Sequence, residues 1–397
     1  MKIGEFTEVF KPVYDGVARV VNAYADIMSK RGNEVYVITP MDNTGYRGNL
    51  GYEIVDYDAV NFSKSMPWKI GIDELDPHFI RRMKMIDLDI VHVHGPAFAG
   101  QAGIHYALKH EIPVIGTFHS RFYDDVLKTT HSRTLAKIAS KYVADFYEKC
   151  DEVWAVSEGA GEELIRYGYK GKIIVMQNGT NMRTVNEKKI PEVREKYKLP
   201  SDVPMFLFVG QINRKKGLEN IIKACSLLRN DGQDFRLVLA GRGPDETYVR
   251  ELSRSTGLDD NLIMTGHLDD FEELDCLYSM AQLFLFPSLY DNSPMVVREA
   301  ACMHTPSVLV KGSSSAEVIT DRQNGLLCEN TPEDLYRQIK WYNTLPETGK
   351  TEIKENAYMT IPVKWDGPLM DTILARYQNL VDTNQLQKNL LRRNIYG

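Results

Sequence analysis

The chain has 397 residues, of which 43% are apolar and 26% are charged, and this ordinary globular composition argues against disorder, collagen and coiled coil. The formal net charge of −6 leaves no basic surplus for binding a nucleic-acid backbone. The five cysteines are scattered without any C-x-x-C spacing, so neither a zinc site nor a disulfide framework is predicted.

The chain begins MKIGEFTEVF, which lacks the apolar core of a signal peptide. No apolar run approaches the roughly 18–20 residues that a membrane span needs. We therefore expect a cytoplasmic protein, which could also bind peripherally to the inner membrane surface. At roughly 100–200 residues per domain, the length predicts two or three domains.

Short apolar runs alternate with helical patterns in the first half of the chain. A helix is predicted over residues 17–29, where apolar residues recur at helical spacing. The strand candidates are apolar on both faces, as expected for strands that helices cover on both sides. They lie at residues 34–39, 90–94, 113–118, 152–156 and 172–176. This alternation predicts a parallel α/β sheet.

The pattern restarts after a polar, proline-containing stretch at residues 182–204, which we interpret as a short helix and a linker. Further strands are predicted at residues 204–210, 235–241, 283–287 and 306–310. The predicted fold class is α/β, with two doubly wound Rossmann-like domains. They comprise residues 1–182, which a helix at about 370–397 rejoins, and residues 203–365. A cleft between two such domains is the expected active site, because parallel sheets bind ligands at the carboxyl ends of their strands.

One motif follows the strand that ends at Pro287. Ser293 is expected to cap a helix and Pro294 to occupy its first position. The free N–H groups of Met295 and Val296 would then form a phosphate site at the helix N-terminus.

Two acidic residues accompany this motif. Glu299 lies one to two turns into the helix, where it could accept hydrogen bonds from sugar hydroxyls, and Asp291 lies in the preceding loop. The alternative interpretation is a plain capped helix with a solvated glutamate.

A second motif, from Gly210 to Gly217, follows a strand and opens a helix. Its three consecutive cations, Arg214, Lys215 and Lys216, could neutralise a diphosphate at the carboxyl edge of the sheet. A solvated basic turn is the alternative. Both motifs are expected at the same edge of one sheet, and this coincidence favours a binding site.

Weaker signals lie elsewhere. Gly16 precedes the first helix, where the absence of a Cβ would let a phosphate or sugar approach the backbone, although a tight turn explains it equally well. His119 follows a strand and could contact a sugar hydroxyl or share a proton. His92 and His94 share one face of a strand, but no third ligand is evident, so no metal site is predicted.

Three further residues follow strand-like runs: Gly241, Gly266 and His267. They either line a nucleotide pocket or form plain turns.

With these motifs in view, the whole chain resembles the retaining glycosyltransferases of family 4, which have the two-domain GT-B fold with a C-terminal helix that crosses back. The family's Glu-x7-Glu signature appears here as Asp291-x7-Glu299. The resemblance implies that Glu299 holds the nucleotide ribose, that Asp291 contacts the donor sugar, and that the N–H groups near Met295 and Val296 bind the distal phosphate.

The resemblance extends to the basic loop and to the first domain. Lys216 matches the family's phosphate-binding lysine, but Gln211 replaces its arginine, whose charge either Arg214 or Lys215 would supply. Gly16 matches the glycine loop over the donor phosphate, and His119 matches a histidine near the anomeric carbon.

The resemblance implies an enzyme that moves a hexose, with retention, from a nucleotide diphosphate sugar to a hydroxyl acceptor. The donor is expected to be UDP-linked, and no metal or cofactor is expected. The acceptor would be a glycan, a small polyol or a membrane glycolipid precursor. Residues 117–125 are similar to glucosyltransferases acting on diacylglycerol, but acidic residues outnumber basic ones over residues 1–180. The alternative is a nucleotide-sugar-binding or epimerase-like protein without transferase activity.

Overall fold

The computed structural model describes residues 1–11, 15–40, 49–60 and 70–396, so parts of the predicted first domain and Gly397, the last residue of the predicted returning helix, lie outside it. The chain divides into two compact units. The N-terminal unit comprises Met1–Gly179 and Lys364–Gly397, and the C-terminal unit comprises Thr180–Val363.

The strands, in chain order, are β1 (Lys2–Phe6), β2 (Glu34–Pro40), β3 (Glu53–Tyr57), β4 (Ala59–Val60), β5 (Ile70–Gly71), β6 (Ile90–Val93), β7 (Val114–Phe118), β8 (Glu152–Ala155), β9 (Ile173–Val175), β10 (Met205–Val209), β11 (Arg236–Ala240), β12 (Leu262–Gly266), β13 (Leu283–Leu285), β14 (Ser307–Val310) and β15 (Leu326–Cys328).

The α-helices are α1 (Gly16–Lys30), α2 (Pro77–Met83), α3 (Phe98–His110), α4 (Phe122–Thr130), α5 (Arg133–Tyr147), α6 (Glu158–Arg166), α7 (Ile190–Tyr197), α8 (Leu218–Asn230), α9 (Glu246–Ser255), α10 (Phe271–Met280), α11 (Met295–Cys302), α12 (Pro332–Thr344), α13 (Glu347–Thr360) and α14 (Met370–Tyr396). No helix among the described residues is long and apolar enough to cross a bilayer.

The N-terminal unit contains a seven-stranded sheet in the order β3-β2-β1-β6-β7-β8-β9, and each neighbouring pair is parallel. The strand order reverses between β1 and β6, which is the topological switch point of a doubly wound sheet. The returning helix α14 packs its buried face into this unit, with Met370, Ile373 and Tyr377 fully buried.

The C-terminal unit contains a six-stranded parallel sheet in the order β12-β11-β10-β13-β14-β15. Its switch point lies between β10 and β13. The residues of β10 and β13 are buried on both faces, which explains why their sequences are apolar without alternation. The predicted α/β class with two doubly wound sheets is confirmed.

The start of the first helix differs slightly from the prediction. Gly16 does not precede α1 but is its first residue, because Asp15 already acts as the N-cap and accepts a hydrogen bond from the Ala18 N–H at 2.8 Å. The helix ends at Lys30, where Gly32 adopts a φ of 86° that favours glycine.

Candidate functional site

Three glycines meet at the carboxyl edge of the C-terminal sheet. Gly210, Gly241 and Gly266 end or follow the neighbouring strands β10, β11 and β12, and all three have positive φ. The Gly241 N–H donates to the Gly266 carbonyl at 2.8 Å, and a Cβ on Gly241 would lie 1.9 Å from the Gly210 oxygen. A side chain cannot fit at Gly241, and the positive φ of all three residues favours glycine, so the backbone itself forms the rim of this edge.

The basic loop after β10 is a single 3-10 turn over Arg214–Lys216. The Asn213 side chain accepts a hydrogen bond from the Lys215 N–H at 3.1 Å and so starts the turn. Gly217 ends it with a φ of 76°, and a Cβ there would lie 2.2 Å from the Pro287 carbonyl oxygen. This close approach holds the basic loop against the end of β13, at the switch point.

The two sequence motifs meet in one ion pair. Lys216 Nζ binds Asp291 Oδ1, and the Ser288 hydroxyl donates to Asp291 Oδ2 at 2.5 Å. Both charged side chains are mostly buried, with exposed fractions of 16% for Lys216 and 18% for Asp291. Lys216 is therefore not a fully solvated cation, as the alternative of a solvated basic turn had implied, because its ammonium group pairs with Asp291.

The other two cations of the loop point in different directions. Lys215 Nζ lies 4.3 Å from the centre of the Tyr290 ring, beside the loop that carries Asp291. The Arg214 guanidinium instead stacks on Tyr248 at 4.1 Å and approaches Glu219 at 3.5 Å.

The start of α11 corrects two predictions. Pro294 is the N-cap, with an extended ψ of 123°, and Met295 is the first helical residue. The expected arrangement, with Ser293 as N-cap and Pro294 in the helix, is therefore shifted by one position. The first-turn N–H groups of Met295 and Val296 remain at the helix N-terminus, where no carbonyl of the same helix can accept them.

Glu299 is almost completely buried, with an exposed fraction of 2%. It lies on α11 and accepts a hydrogen bond from the Tyr278 hydroxyl of α10 at 3.4 Å. Nearby, Arg183 makes a two-pronged ion pair with Asp275, with Nε and Nη2 both 2.8 Å from its oxygens. Nothing in the sequence pattern singled out this pair, because its partners lie 92 residues apart.

His267 lies at the margin of this arrangement. Its side chain is 67% exposed, and its Nε2 atom lies 3.3 Å from an Asp269 oxygen. It directly follows Gly266, the last residue of β12, so it lies at the same carboxyl edge as the other predicted residues.

The predicted residues of the N-terminal unit lie at the carboxyl edge of the other sheet. Gly16 is exposed, and a Cβ added to it would meet no atom of the described residues within 4 Å. A ligand can therefore approach this part of the backbone.

His119 is partly buried and directly follows β7. Its Nε2 atom lies 3.1 Å from His94 Nδ1, and His94 Nε2 lies 2.6 Å from Glu5 Oε2. Burial lowers the pKa of His119 well below its usual value and lowers that of His94 to about 3. Both imidazoles are therefore neutral at physiological pH.

His92 belongs to the same buried group. It contacts the Tyr377 hydroxyl through Nδ1 at 2.5 Å and the Thr117 hydroxyl through Nε2 at 2.6 Å. Burial lowers its pKa as well, and the nearby His94 adds to this effect. The sequence pattern indicated His92 of β6 and His94 directly after it but not Glu5, although a carboxylate within a short apolar strand is an unusual signal.

The expectation that no third potential metal ligand accompanies His92 and His94 is wrong, because Glu5 lies beside them. The ligand atoms of Glu5, His92 and His94 lie within 4.8 Å of one another. Each nitrogen of the two rings already has a hydrogen-bond partner among Glu5, Tyr377, Thr117 and His119. We therefore interpret the group as a hydrogen-bonded network and assign no metal to it.

Comparison with known proteins gives consistent matches along the chain. Residues 14–183 match the model of Glycosyltransferase Family 4, and residues 189–359 match that of the Glycosyl transferases group 1. Alpha-monoglucosyldiacylglycerol synthase of Acholeplasma laidlawii is 22% identical over 98% of this chain and all of its own length. The GDP-mannose-dependent alpha-mannosyltransferase of Corynebacterium glutamicum is 24% identical, covering 97% of this chain and 90% of its own.

Solved structures show the same fold. Anabaena Alr3699/HepE in complex with UDP and glucose superposes with a TM-score of 0.72 at 17% identity, covering 95% of this chain and 99% of that one. A glycosyltransferase from Rickettsia africae gives 0.73 at 20% identity over 96% and 98%. Because the two family models together cover most of the sequence, the chain belongs to the GT-B glycosyltransferases of the family 4 type and is a hexosyltransferase.

Proposed function

We propose that the protein transfers a hexose from a UDP-linked sugar to a hydroxyl acceptor with retention of the anomeric configuration. The observation that carries the proposal is the convergence of Lys216, Asp291 and the N-terminus of α11 at the switch point of the C-terminal sheet. A diphosphate needs fixed positive charge and N–H donors together, and this edge supplies both.

The chemistry follows from how charge develops in the reaction. The departing UDP gains negative charge as the glycosidic bond breaks. Lys216 and the first-turn N–H groups of α11 would stabilise that charge from fixed positions, and such preorganisation is often the largest catalytic contribution. Asp291, released from Lys216 by the diphosphate, would then be available to the sugar hydroxyls.

The same residues favour a metal-independent reaction. A divalent metal would neutralise the diphosphate, and the fixed cations of the basic loop would perform that task instead. Activity measured in excess EDTA should equal activity with added Mg²⁺ or Mn²⁺. Loss of activity in EDTA that either metal restores would overturn this part of the proposal.

We propose retention from the family resemblance and from the diphosphate-binding groups at the carboxyl edge of the C-terminal sheet. The acceptor hydroxyl would attack from the face that the diphosphate leaves, and the leaving phosphate oxygen would take up its proton. NMR of the first product formed from an α-linked donor should show an α-linked glycoside. A β-linked first product would contradict it.

The comparisons favour different nucleotides for the donor. One similar structure holds UDP and glucose, whereas one relative is GDP-mannose-dependent. We would test it by thermal stabilisation with UDP, GDP, ADP and their hexose conjugates. A ligand that binds only the folded protein raises its melting temperature by mass action. UDP should stabilise the wild type and stabilise Lys216→Ala less. Stabilisation by GDP but not by UDP would contradict the UDP-linked donor and favour a GDP-linked one.

The alternative of a nucleotide-sugar-binding or epimerase-like protein rests on Gln211 and the shortened acid Asp291. It predicts donor binding, or donor isomerisation, without product in any acceptor panel. The relatives named above are transferases, which favours transfer.

The acceptor that we favour is a membrane glycolipid precursor. Three exposed apolar side chains, Leu135, Ile138 and Tyr142, share one face of α5, with exposed fractions of 49%, 61% and 50%. Helix α5 carries three cations, Arg133, Lys137 and Lys141, and one acid, Asp145, which pairs with Lys141 at 2.8 Å. A basic helix face with exposed apolar side chains fits an anionic bilayer surface.

Vesicle flotation tests this acceptor surface. The wild type should float with vesicles containing phosphatidylglycerol and remain unbound with phosphatidylcholine alone. Ile138→Glu should abolish flotation, whereas Ile165→Glu, at an equally exposed apolar residue of α6, should not change it. Equal vesicle binding by both variants would show that α5 does not contact the membrane, and it would favour a glycan or polyol acceptor.

A further inference from the structure

A cavity of about 330 Å³ lies at the amino edge of the C-terminal sheet. The first residues of β10 and β11, the residues just before β13, and side chains of α7 and α13 bound this amino-edge cavity. The Arg236 N–H donates to the Pro204 carbonyl, and the Gln282 N–H donates to the Met205 carbonyl, both at 2.8 Å. The five residues of β10 span about 13 Å at roughly 3.3 Å per residue. The cavity is therefore separate from the charged pair at the carboxyl edge.

Basic side chains outnumber acidic ones along the walls of the amino-edge cavity. The acidic side chains are Asp202 and Glu347, and the basic ones are Arg194, Arg236, Lys350 and Lys354. Two of these cations already have a carboxylate partner. Lys350 donates to Glu347 at 2.8 Å, and Arg236 donates to Asp234 at 2.9 Å. The excess positive charge therefore comes from the other two cations.

Arg194 and Lys354 are half-buried cations that lack a carboxylate partner. Arg194 Nη1 donates to the backbone carbonyls of Leu199 and Pro200 at 3.4 and 2.8 Å, and these acceptors carry no charge. In the described part of the chain, no carboxylate oxygen lies within 4.0 Å of Lys354 Nζ or of the Arg194 guanidinium. A cation that loses part of its hydration without gaining an anion is unfavourable. An anion bound in the cavity would offset this cost.

The number of unpartnered cations indicates the charge of the ligand. Two cations on different helices match an anion with two negative charges. A phosphate monoester carries roughly −1.5 to −2 charges at pH 7 and has three acceptor oxygens, whereas a single carboxylate carries one charge. Arginine binds phosphate oxygens through its planar fork, and lysine binds them as a compact charge. The walls therefore fit a phosphate group better than a monocarboxylate.

Gln282 indicates that the ligand also carries a hydroxyl group. The Oε1 atom of Gln282 is buried, and no donor of the described residues forms a hydrogen bond with it. Gln282 lines the amino-edge cavity, and the terminal torsion of a glutamine is only weakly restricted, so a small rotation turns its amide towards a ligand there. A ligand hydroxyl would supply the missing donor.

We propose that the amino-edge cavity binds a phosphate monoester of a small polyol or sugar. Arg194 and Lys354 bind the phosphate group, and Gln282 accepts a hydrogen bond from a hydroxyl group of the same ligand. The cavity volume lies at the lower end of the roughly 300–1,000 Å³ of small-molecule sites, which suits a ligand of this size. This site does not depend on the proposed function, because none of its residues belongs to the donor site.

Methyl NMR of the methionines tests the site in the full-length chain. Met205 and Met280 line the amino-edge cavity, whereas Met295 begins α11 at the opposite edge. Glycerol 3-phosphate should shift the methyl resonances of Met205 and Met280. Glycerol and lactate, at the same concentration and ionic strength, should shift neither of them. A shift at Met295 without shifts at Met205 and Met280, or equal shifts with glycerol, would overturn the proposal.

Titration of the Met280 resonance in variants assigns the two parts of the ligand. Lys354→Ala should weaken glycerol 3-phosphate binding about tenfold or more, because it removes a charge-assisted hydrogen bond. Lys340→Ala is the matched control, since Lys340 lies on α12 outside the cavity and pairs with Asp231. Gln282→Leu should bind inorganic phosphate as the wild type does but lose the preference for glycerol 3-phosphate. Equal affinity in Lys354→Ala and Lys340→Ala would overturn the proposal.

Thermal stabilisation separates this site from the donor site. Two ligands that bind different sites raise the melting temperature additively, whereas two ligands that compete do not. UDP and glycerol 3-phosphate should act additively on the wild type. Lys354→Ala should lose the increase from glycerol 3-phosphate and keep that from UDP, and Lys216→Ala should show the reverse. Competition between the two ligands would place the phosphate ester at the carboxyl edge and overturn the proposal.

Discussion

The carboxyl edges of the two sheets have opposite electrostatic character. In the C-terminal unit, Lys216 and Asp291 form a charged pair within reach of solvent, beside glycines with positive φ. In the N-terminal unit, Glu5, His94 and the partly buried His119 form a hydrogen-bonded chain that burial keeps neutral at pH 7. Both edges nevertheless lie at the switch point of a doubly wound sheet.

The difference shows how one architecture can supply two kinds of chemistry. A cation within reach of solvent can bind a diphosphate without a large desolvation cost, because it keeps part of its hydration. A buried neutral network cannot hold an anion in that way, but it can fix the direction of a hydrogen bond. We therefore expect the C-terminal unit to stabilise charge and the N-terminal unit to orient the sugar.

The largest expected effect is on turnover at the charged edge. Lys216→Ala removes the cation placed for the leaving diphosphate, and kcat should fall about 10²–10³-fold, as when a transition-state donor is lost. Steady-state kinetics with a radiolabelled donor would measure this. Lys223→Ala, which removes a cation paired with Glu219 on α8, should leave kcat unchanged. If both variants keep wild-type rates, Lys216 has no part in the site and the contrast between the edges fails.

A pair of glycines gives the next effect, on stability in one unit and on binding in the other. Gly241→Ala would place a Cβ 1.9 Å from the Gly210 oxygen at a φ of 143°, so unfolding should become easier by about 3 kcal/mol or the protein should not fold. The methyl group of Gly16→Ala would meet no atom within 4 Å in the described part of the chain, so this variant should keep its stability within about 1 kcal/mol.

Calorimetry on the folded Gly16→Ala variant then completes the comparison. Donor affinity should fall if a phosphate or sugar approaches this backbone, because the methyl group occupies the open space. Unchanged donor affinity would show that Gly16 serves only the start of α1. A Gly241→Ala protein as stable as the wild type would mean that the three-glycine rim can relax.

The sequence predicted the fold well because the periodicity of buried parallel strands is a local signal. The predicted strand at 34–39 corresponds to β2, and the predicted strand at 283–287 contains β13 with two further residues. Local signals also placed the basic loop after β10. They could not identify the Lys216–Asp291 pair, because pairing depends on which strands neighbour each other in the sheet.

Errors arose where the structure depends on burial or on exact dihedral angles. Serine is a preferred N-cap residue, yet Pro294 and not Ser293 is the N-cap of α11, because the backbone of Pro294 is still extended. Glu5 escaped notice because its partners, His94 and Tyr377, come from distant parts of the chain and meet it only in the folded sheet. A sequence gives residue types and spacing, whereas a buried network needs the topology.

A smaller effect concerns nucleotide affinity at Glu299. Glu299→Gln removes the negative charge from a buried acceptor, and UDP binding should weaken about tenfold or more, the value of a charge-assisted hydrogen bond. Isothermal calorimetry with UDP measures it directly. Tyr278→Phe is the control, because it removes the hydroxyl that donates to Glu299 at 3.4 Å and should change UDP affinity little. An equal loss in both variants would assign Glu299 a structural role within α10 and α11.

The smallest expected effect concerns the position where Gln211 replaces the family's arginine. It tests whether Arg214 or Lys215 supplies the missing charge. Lys215 lies beside Tyr290 in the loop that carries Asp291, whereas Arg214 is held on Tyr248 at the side of α9. Lys215→Ala should therefore lower kcat/KM about fivefold, the size of one partly solvated charge contact, and Arg214→Ala less than twofold. Gln211→Arg should restore the rate of Lys215→Ala, because a guanidinium there supplies the lost charge. A larger loss from Arg214→Ala, or no rescue by Gln211→Arg, would mean that the diphosphate binds on the α8–α9 side of the basic loop and not beside β13.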